Sequence, residues 1–422
     1  MASGLGALLL LLAMAAAWLA ADVVAGAAVG PVFNVTDFGA VADGKTDDSR
    51  AFLRAWMKAC ATPGRPAVVV PGGGGSYLLH PLVFRGPCRG YMEVRVAGVL
   101  RAPAGLGAFR GCREWVHFSN VDGLLVTGGG TFDGRGATAW PLNECPKRRD
   151  CTLLPTSIKL GRVRNATITD VTSLDSKFFH VTVAGSQGVR IHRVSIRAPR
   201  DSPNTDGVHI QGSSDVRVTD SAVATGDDCV SVGPGSSDVV VSGVTCGPGH
   251  GISVGSLGRY PGEEDVRRLR VANCTIAGTS NGVRIKTWRG GSRPTAVAGL
   301  VFEDIVMRKV RNPIIIDQEY CPYASCHRES EQRPSAVRIS DVKFRNIRGV
   351  SATQVAVKLS CSEASPCRGL ELRDIDLRFV RRGVATQSQC AHVAGGVVGG
   401  TLVPPSCIGT LPPPAACSGS KN

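Results

Sequence analysis

Apolar and polar residues alternate in short stretches along most of the chain. The segments 189–191 and 194–196 read VRI and VSI, and the segments 239–241 and 244–246 read VVV and VTC. Copies of the first segment end at 191, 218, 241, 271, 302, 339 and 372. Alternation of this kind predicts short β-strands that bury every second side chain.

The spacing between copies decides which fold these strands build. Successive copies are 23 to 37 residues apart, which is too short for four-stranded propeller blades. Weaker copies near residues 96, 126 and 168 bring the total to about ten coils. An antiparallel sandwich fits less well, because hairpin turns do not recur at regular spacing. We therefore predict an all-β protein, a right-handed single-stranded parallel β-helix.

One segment near the N-terminus has helical periodicity instead. Phe52, Trp56 and Cys60 repeat at every fourth position after Asp47 and Asp48. Acidic residues suit the positive end of a helix dipole. We expect a short helix that caps the apolar end of the coils.

The two ends of the chain lie outside the repeat. Residues 1–27 contain an apolar run and then small residues, which predicts a signal peptide cut after Ala27. A membrane anchor is less favoured, because the run is short and lacks a basic stop signal. The β-helix catalytic domain is assigned to residues 28–407 and a Pro-rich tail to residues 408–422. We expect a secreted, extracellular cell-wall protein that is not membrane-bound after cleavage.

The cysteines agree with export. Fifteen Cys in an exported chain predict disulfides, and the odd number leaves at least one thiol unpaired within the chain. Sequons for N-glycosylation begin at Asn34, Asn165 and Asn273. The pairs predicted from spacing are Cys145/Cys151, Cys321/Cys326, Cys361/Cys367 and Cys229/Cys246.

The formal net charge of +14 favours a polyanionic partner. Export argues against nucleic acid, and the chain has no basic stripe interleaved with aromatic residues. An acidic polysaccharide is the better candidate.

Polar residues recur at one position of three neighbouring coils. Asp206, Asp228 and His250 are 22 residues apart, and each lies two residues before the first apolar residue of a strand. Asp227 adjoins Asp228. Asp beside Gly is usually a turn residue, but the matched spacing favours a shared site. Clustered carboxyls cannot all ionise freely, so one should keep its proton and provide an acid beside a base.

Two cations follow this cluster. Arg284 and Lys286 alternate with apolar Val283 and Ile285, so both are expected to point outward from the strand after His250. A guanidinium binds a carboxylate through two hydrogen bonds. The pair therefore predicts a substrate that contains uronic acid.

Four motifs together resemble the plant polygalacturonases of glycoside hydrolase family 28. They are SPNTDG at 202–207, GDDC at 226–229, GPGHGIS at 247–253 and RIK at 284–286, and the resemblance covers roughly residues 32–407. It implies a parallel β-helix and inverting hydrolysis of α-1,4 galacturonan without a metal or another cofactor. Inversion requires about 6.5–9.5 Å between the acid and base carboxyls.

The resemblance also implies a role for each site residue. Asp227 would be the general acid, Asp206 and Asp228 would position and deprotonate the water, and His250 would support the acid. The residues expected to bind galacturonate are Asn204, Arg284, Lys286 and Tyr320.

Three further segments, at 114–118, 128–134 and 361–367, resemble the exopolygalacturonase branch. Internal cleavage stays an alternative, since loops 137–157 and 321–335 would decide whether one end of the cleft is closed. A pectate lyase would share the fold but need a calcium site. A wall-binding protein without activity would be expected to have lost part of the carboxylate set. We expect a monomer.

Overall fold

The computed structural model describes residues 30–145, 147–148, 151–290, 295–323 and 333–409. The predicted signal peptide and all but the first two residues of the predicted tail lie outside these ranges. One α-helix is described, α1 (Ser49–Cys60), together with four 3-10 turns at Val35–Phe38, Leu106–Phe109, Gly136–Thr138 and Trp140–Leu142. Within the described ranges, no helix is both long enough and apolar enough to span a bilayer.

The strands in chain order are β1 (Val32–Asn34), β2 (Asp43–Asp47), β3 (Ala67–Val70), β4 (Ser76–Leu78), β5 (Leu82–Arg85), β6 (Met92–Val96), β7 (Val99–Arg101), β8 (Glu114–Ser119), β9 (Asp122–Thr127), β10 (Thr131–Asp133), β11 (Thr156–Gly161), β12 (Arg164–Thr169), β13 (Thr172–Leu174), β14 (Val181–Ala184), β15 (Gln187–His192), β16 (Ser195–Arg197), β17 (Val208–Gln211), β18 (Ser214–Thr219), β19 (Ala222–Ala224), β20 (Asp228–Val232), β21 (Ser237–Ser242), β22 (Thr245–Cys246), β23 (Gly251–Leu257), β24 (Val266–Ala272), β25 (Thr275–Ala277), β26 (Asn281–Trp288), β27 (Ala296–Val310), β28 (Asn312–Tyr320), β29 (Arg338–Ser351), β30 (Val355–Ser360), β31 (Arg368–Phe379), β32 (Gln387–Ala391) and β33 (Gly396–Val403).

These strands form two parallel sheets that wind around one core. The front sheet has the order β5-β8-β11-β14-β17-β20-β23-β26-β28-β30-β32, so each coil adds one strand to it. The other described strands belong to a back sheet, where a coil contributes two short strands or, from β27 on, one long strand. The prediction of a right-handed parallel β-helix is confirmed.

The core consists of ladders of aliphatic side chains. In the front sheet Val208 pairs with Val230, Val230 with Ile252, and Ile252 with Val283. All four side chains are fully buried. Each contributes roughly 1.5–3 kcal/mol of hydrophobic free energy. The predicted alternation therefore holds, because its apolar positions stack from coil to coil.

Helix α1 covers the N-terminal end of the stack, as predicted. Phe52 and Trp56 are buried, and the Trp56 Nε1 donates a hydrogen bond to the Arg85 carbonyl at 3.0 Å. Asp48 occupies the N-cap position but its side chain does not cap the helix. Its carboxylate instead accepts hydrogen bonds from the Val41 and Ala42 amides, at 2.7 and 3.2 Å.

The C-terminal end of the stack is covered by residues 404–409. A disulfide joins Cys390 on β32 to Cys407. The Ile408 side chain is buried in the core, and the Gly396 amide donates to the Gly409 carbonyl at 3.3 Å. This segment lies over the last coil.

The described disulfides can be compared with the four Cys pairs predicted from spacing. Three of those pairs are confirmed, and the Cys321/Cys326 prediction involves Cys326, which lies outside the described residues. The described disulfides are Cys60–Cys88, Cys145–Cys151, Cys229–Cys246, Cys361–Cys367 and Cys390–Cys407, and the described free thiols are Cys112 and Cys274.

Candidate active site

Turns that lead into the front sheet carry most of the predicted site. Asp206 precedes β17, Asp227 precedes β20 and His250 precedes β23, while Asp228 is the first residue of β20. Because consecutive front strands are neighbours, these turns lie side by side along one edge of the sheet. Direct contacts or neighbouring charges connect all eight predicted residues, which are Asn204, Asp206, Asp227, Asp228, His250, Arg284, Lys286 and Tyr320.

A β-bulge changes the predicted alignment of the polar column. Val230 pairs with Ile252 at the expected offset of 22 residues, but Asp228 pairs with Gly251 because the register shifts between Asp228 and Val230. His250 therefore lies against Asp227 instead of Asp228. Its amide donates to the Asp227 carbonyl at 2.8 Å, and its Nδ1 lies 2.9 Å from Asp227 Oδ1. The prediction of three successive coils holds, whereas the exact column was wrong by one residue.

Asp228 is the most enclosed carboxylate of the three. Its side chain is 1% exposed. Oδ1 accepts hydrogen bonds from Arg284 Nη2 at 2.8 Å and Ser253 Oγ at 2.7 Å, and Oδ2 accepts one from Lys286 Nζ at 2.8 Å. Burial opposes ionisation, but the positive charges of Lys286 and Arg284 outweigh it and lower the pKa of Asp228. Asp228 is a permanent anion at physiological pH.

Asp206 has the opposite electrostatic environment. It is buried, and its Oδ2 accepts a hydrogen bond from Ser231 Oγ at 2.7 Å. Burial, and then the charges of Asp227 and Asp228, raise the pKa of Asp206 well above its ordinary value. The cluster thus holds a carboxyl that retains its proton beside one that does not, as expected for an acid and base pair.

Asp227 is more accessible than Asp228, with 16% of its side chain exposed. Its Oδ1 accepts hydrogen bonds from the Asp228 amide at 2.8 Å and from His250 Nδ1. Burial lowers the pKa of His250, but the hydrogen bond and charge of Asp227 outweigh this effect and the net shift is upward. The contact with His250 fixes the orientation of the Asp227 carboxyl.

Asn204 connects the cluster to the loop between β10 and β11. Its backbone has a left-handed conformation with φ 54°, which Asn tolerates better than most residues. Its Nδ2 donates to Asp227 Oδ2 at 3.3 Å, and its Oδ1 accepts from Asn143 Nδ2 at 3.1 Å. The Asn143 side chain is buried, and its own Oδ1 accepts from the Cys145 amide at 3.0 Å. Asn143 is a residue that the sequence analysis missed.

The sequence analysis also missed Ser231 and Ser253. These two residues pair with each other on adjacent front strands and are 22 residues apart, the same interval as Asp206 and Asp228. Each hydroxyl donates to an aspartate on the preceding coil, Ser231 to Asp206 and Ser253 to Asp228. That shared interval was the signal that could have identified them.

Tyr320 and Lys286 form the other side of the cluster. Lys286 Nζ lies 5.4 Å from the centroid of the Tyr320 ring, and Tyr320 packs edge-on against Trp288 at 5.2 Å. Burial raises the pKa of Tyr320. Its hydroxyl therefore stays protonated and can donate a hydrogen bond.

Asp227, Asp228 and His250 could in geometry hold a metal ion, since one ligand atom from each lies within 4.8 Å of the others. The surrounding charges fit a metal poorly. Both Asp228 oxygens already accept hydrogen bonds from Arg284 and Lys286, and two cations beside the site would repel a third. The metal-free site stays a prediction.

Comparison with known proteins decides the family. Residues 60–401 match the sequence model of the family described as glycosyl hydrolases family 28. The chain belongs to glycosyl hydrolase family 28. The resemblance drawn from the four motifs is confirmed.

The similar proteins include some named polygalacturonase and others named exopolygalacturonase. The chain is 45% identical to a polygalacturonase from Gossypium hirsutum over 378 residues, which cover 90% of this chain and 91% of the relative. It is 44% identical to an exopolygalacturonase from Platanus acerifolia, over 86% of this chain and 94% of that one. The endo-xylogalacturonan hydrolase from Aspergillus tubingensis shares the fold, with a TM-score of 0.75 at 23% identity, over 88% of this chain and 99% of the other.

Proposed function

We propose that this family 28 glycosidase is a polygalacturonase that removes galacturonate from the end of polygalacturonan by inverting hydrolysis. One observation carries the proposal. Three carboxyls, Asp206, Asp227 and Asp228, adjoin the cations Arg284 and Lys286 in one cluster, in which the pKa of Asp206 is raised and that of Asp228 is lowered. Acid and base carboxyls hydrolyse glycosides, and adjacent cations favour a sugar that carries a carboxylate.

Asp227 has the environment of the general acid. It is more exposed than Asp228, and Asn204 and His250 hold both of its oxygens. As the general acid, Asp227 would carry the proton when a glycosidic oxygen approaches, and Asp206 would be ionised at that step. Proton transfer from Asp227 to that oxygen would allow the leaving sugar to depart.

Asp206 and Asp228 are proposed to position the attacking water. Asp228 stays ionised and fixes the water through its charge, although a carboxylate with a lowered pKa is a weak base. Asp206 has the raised pKa, which makes its ionised form the stronger proton acceptor. The water would therefore lose its proton to Asp206 in its ionised form, while the charge of Asp228 orients the water.

Arg284 and Lys286 retain donors for the substrate. Arg284 uses its Nε for Ser253 Oγ and its Nη2 for Asp228, so its other guanidinium N–H groups are available for a galacturonate carboxylate. Lys286 uses one of its three N–H bonds for Asp228. Tyr320, whose ring lies beside Lys286, could donate to the same sugar.

Exo action is supported by the loop between β10 and β11. It precedes the third strand of the front sheet and is tied to the site by the Asn143–Asn204 hydrogen bond. The Cys145–Cys151 disulfide constrains it further. A loop fixed beside the site on its N-terminal side would limit the number of sugars bound there. The exopolygalacturonase names among the relatives agree with this proposal.

Secretion to the cell wall is also proposed. The apolar leader of residues 1–27 and the disulfides are typical of exported proteins. Two of the sequon residues, Asn165 and Asn273, have exposed side chains and are accessible to glycosylation.

The test is the product profile on de-esterified polygalacturonate, with Asp227→Asn as the control. We expect monomer from the earliest time, the inverted anomer in the proton NMR spectrum of fresh product, and a loss of at least about 1,000-fold in the variant. An early ladder of oligomers would replace exo by endo action. An unsaturated product would indicate a lyase. Binding without any product would favour a wall-binding protein.

A further inference from the structure

The turns that continue the edge of the site toward the C-terminus carry an unpaired group of cations. They precede the front strands β28, β30 and β32 and comprise residues 309–311, which include the last two residues of β27, residues 352–354 and residues 380–386. None of the three turns contains Asp or Glu. The exposed cations of these turns, together with Lys358 on the outer face of β30, are called the basic extension: Lys309, Arg311, Lys358, Arg381 and Arg382.

Hydrogen bonds join this edge to the site without a break. Asn281 Nδ2 donates to the His250 carbonyl at 3.2 Å, and Asn312 Nδ2 donates to Asn281 Oδ1 at 3.2 Å. The Arg311 carbonyl then accepts from Thr353 Oγ1, and Gln354 Nε2 donates to the Ala385 carbonyl at 3.2 Å. The turns that hold Asp227, His250 and the basic extension therefore belong to successive coils and lie along the same edge of the front sheet.

The spacing of the coils places the basic extension within reach of a bound polymer. Arg311 lies three coils beyond Asp227, about 14 Å at a spacing of about 4.8 Å per coil. Arg381 and Arg382 lie on the turn two coils further, about 24 Å from Asp227. A chain several sugars long that occupies the site would cross these turns.

The outer face of the front sheet also carries a cation on the C-terminal side of the site. Arg284 pairs with Ile315, and Ile315 with Lys358, so Lys358 lies two coils beyond Arg284 in the same outward column. Among the described residues, none of the five cations forms a salt bridge, although the charge of Lys358 acts on the neighbouring carboxylate of Asp317. Many other surface arginines do, such as Arg193 with Asp170 and Arg268 with Asp238. Unpaired charge in one place is what a polyanion would neutralise.

We propose that the basic extension binds the galacturonate units beyond the one at Arg284 and Lys286. This inference rests on the proposed function, because it assumes that the polymer enters the same site. Its occupant is an anionic polysaccharide with one carboxylate per sugar. The two sides of the site then differ, because the β10–β11 loop stands on one side and a cationic edge receives the polymer on the other.

The test variant combines Lys309→Gln, Arg311→Gln, Arg381→Gln and Arg382→Gln. Its matched control removes four exposed arginines from the back sheet: Arg164→Gln, Arg190→Gln, Arg197→Gln and Arg338→Gln. Both variants lose four positive charges. The readout is the ratio of kcat/KM for polygalacturonate to kcat/KM for digalacturonate, measured at low salt and at 1 M NaCl.

We expect the test variant to lower this ratio by about 10-fold or more at low salt, and the control to change it by less than about twofold. The difference should shrink at 1 M NaCl, where the Debye length is about 3 Å. Equal losses in both variants would mean general attraction to a basic protein and would overturn the proposal. An unchanged ratio in the test variant would also overturn it.

A binding measurement separates this proposal from the proposed function. Affinity electrophoresis through a gel containing polygalacturonate, in the Asp227→Asn background, should show weaker retardation of the test variant than of the control. Retardation without hydrolysis by the unmodified enzyme would remove the proposed function but leave the basic extension supported. Hydrolysis by the unmodified enzyme with equal retardation of both variants would support the proposed function and overturn the basic extension.

Discussion

At the scale of single residues, the site depends on neighbours that keep two adjacent carboxyls in different protonation states. Asp228 is an anion because Lys286 and Arg284 contact it, and Asp206 is held nearly neutral because it is buried beside two other carboxyls. The four motifs predicted which residues meet. They did not predict which carboxyl would be ionised, since that depends on burial and on contacts across coils.

Asn143 supplies the first prediction at this scale. Asn143→Asp keeps the acceptor for the Cys145 amide but replaces the donor to Asn204 Oδ1 with an oxygen. Asn204 should then orient Asp227 less well, so kcat should fall by about 10-fold with little change in KM. Asn346→Asp, an exposed amide that donates to Asp304, is the matched control. A change in KM alone would argue against a positioning role.

Lys286 supplies the second prediction. Lys286→Met removes the cation that most strongly favours ionised Asp228, so the pKa of Asp228 should rise. A protonated Asp228 cannot orient the water as an anion. Activity should therefore be lost at a higher pH on the acid side than in the unmodified enzyme, and the acid limb of kcat/KM against pH measures this. Lys343→Met, which breaks a pair with Asp341 on the back sheet, should leave the limb in place. An acid limb that does not move in Lys286→Met would contradict the assignment.

At the scale of elements, the site is a set of adjacent turns whose side chains are aligned by strand register. The 22-residue interval predicted that Asp206, Asp228 and His250 lie on successive coils, and they do. It could not predict the bulge after Asp228, because a shift of one residue depends on how β20 and β23 pack and leaves no trace in the apolar pattern. For the same reason the contact between His250 and Asp227 was implied by the family resemblance alone.

The start of β14 gives a prediction about pH and stability. The His180 side chain is fully buried, its Nδ1 lies 2.8 Å from Ser173 Oγ, and its amide donates to the Asp206 carbonyl. Burial lowers the pKa of His180 to about 3, against 6.5 for an exposed imidazole. The unfolded chain therefore binds a proton between these values while the folded protein does not, and stability falls as pH decreases across this window.

The expected contribution of His180 is up to about 1.4 kcal/mol per pH unit below pH 6.5. His180→Gln should flatten the dependence of the unfolding free energy on pH between about 6 and 4, whatever it does to stability at pH 7. Denaturant unfolding at several pH values measures the slope. His80→Gln, at an exposed position, is the control, and equal slopes in His180→Gln and the unmodified protein would count against this account.

At the scale of the whole molecule, the repeat predicted the architecture, and the helix that covers its first coils was predicted from its own periodicity. Phe52 and Trp56 are buried where the pattern placed them, although Met57 on the same helix is 60% exposed. The shape of the β10–β11 loop and the role of Asn143 could not be predicted. Such insertions have no period, and their contacts depend on which coils lie beside them.

The covered ends of the β-helix affect whether copies of the protein can associate end to end. A parallel stack has no internal reason to stop, since its last strand offers free N–H and C=O groups that another copy could extend into a fibre. Helix α1 closes one end, and residues 404–409, held by Cys390–Cys407, close the other. The two terminal segments thus cover the strand edges through which one copy could add coils to another.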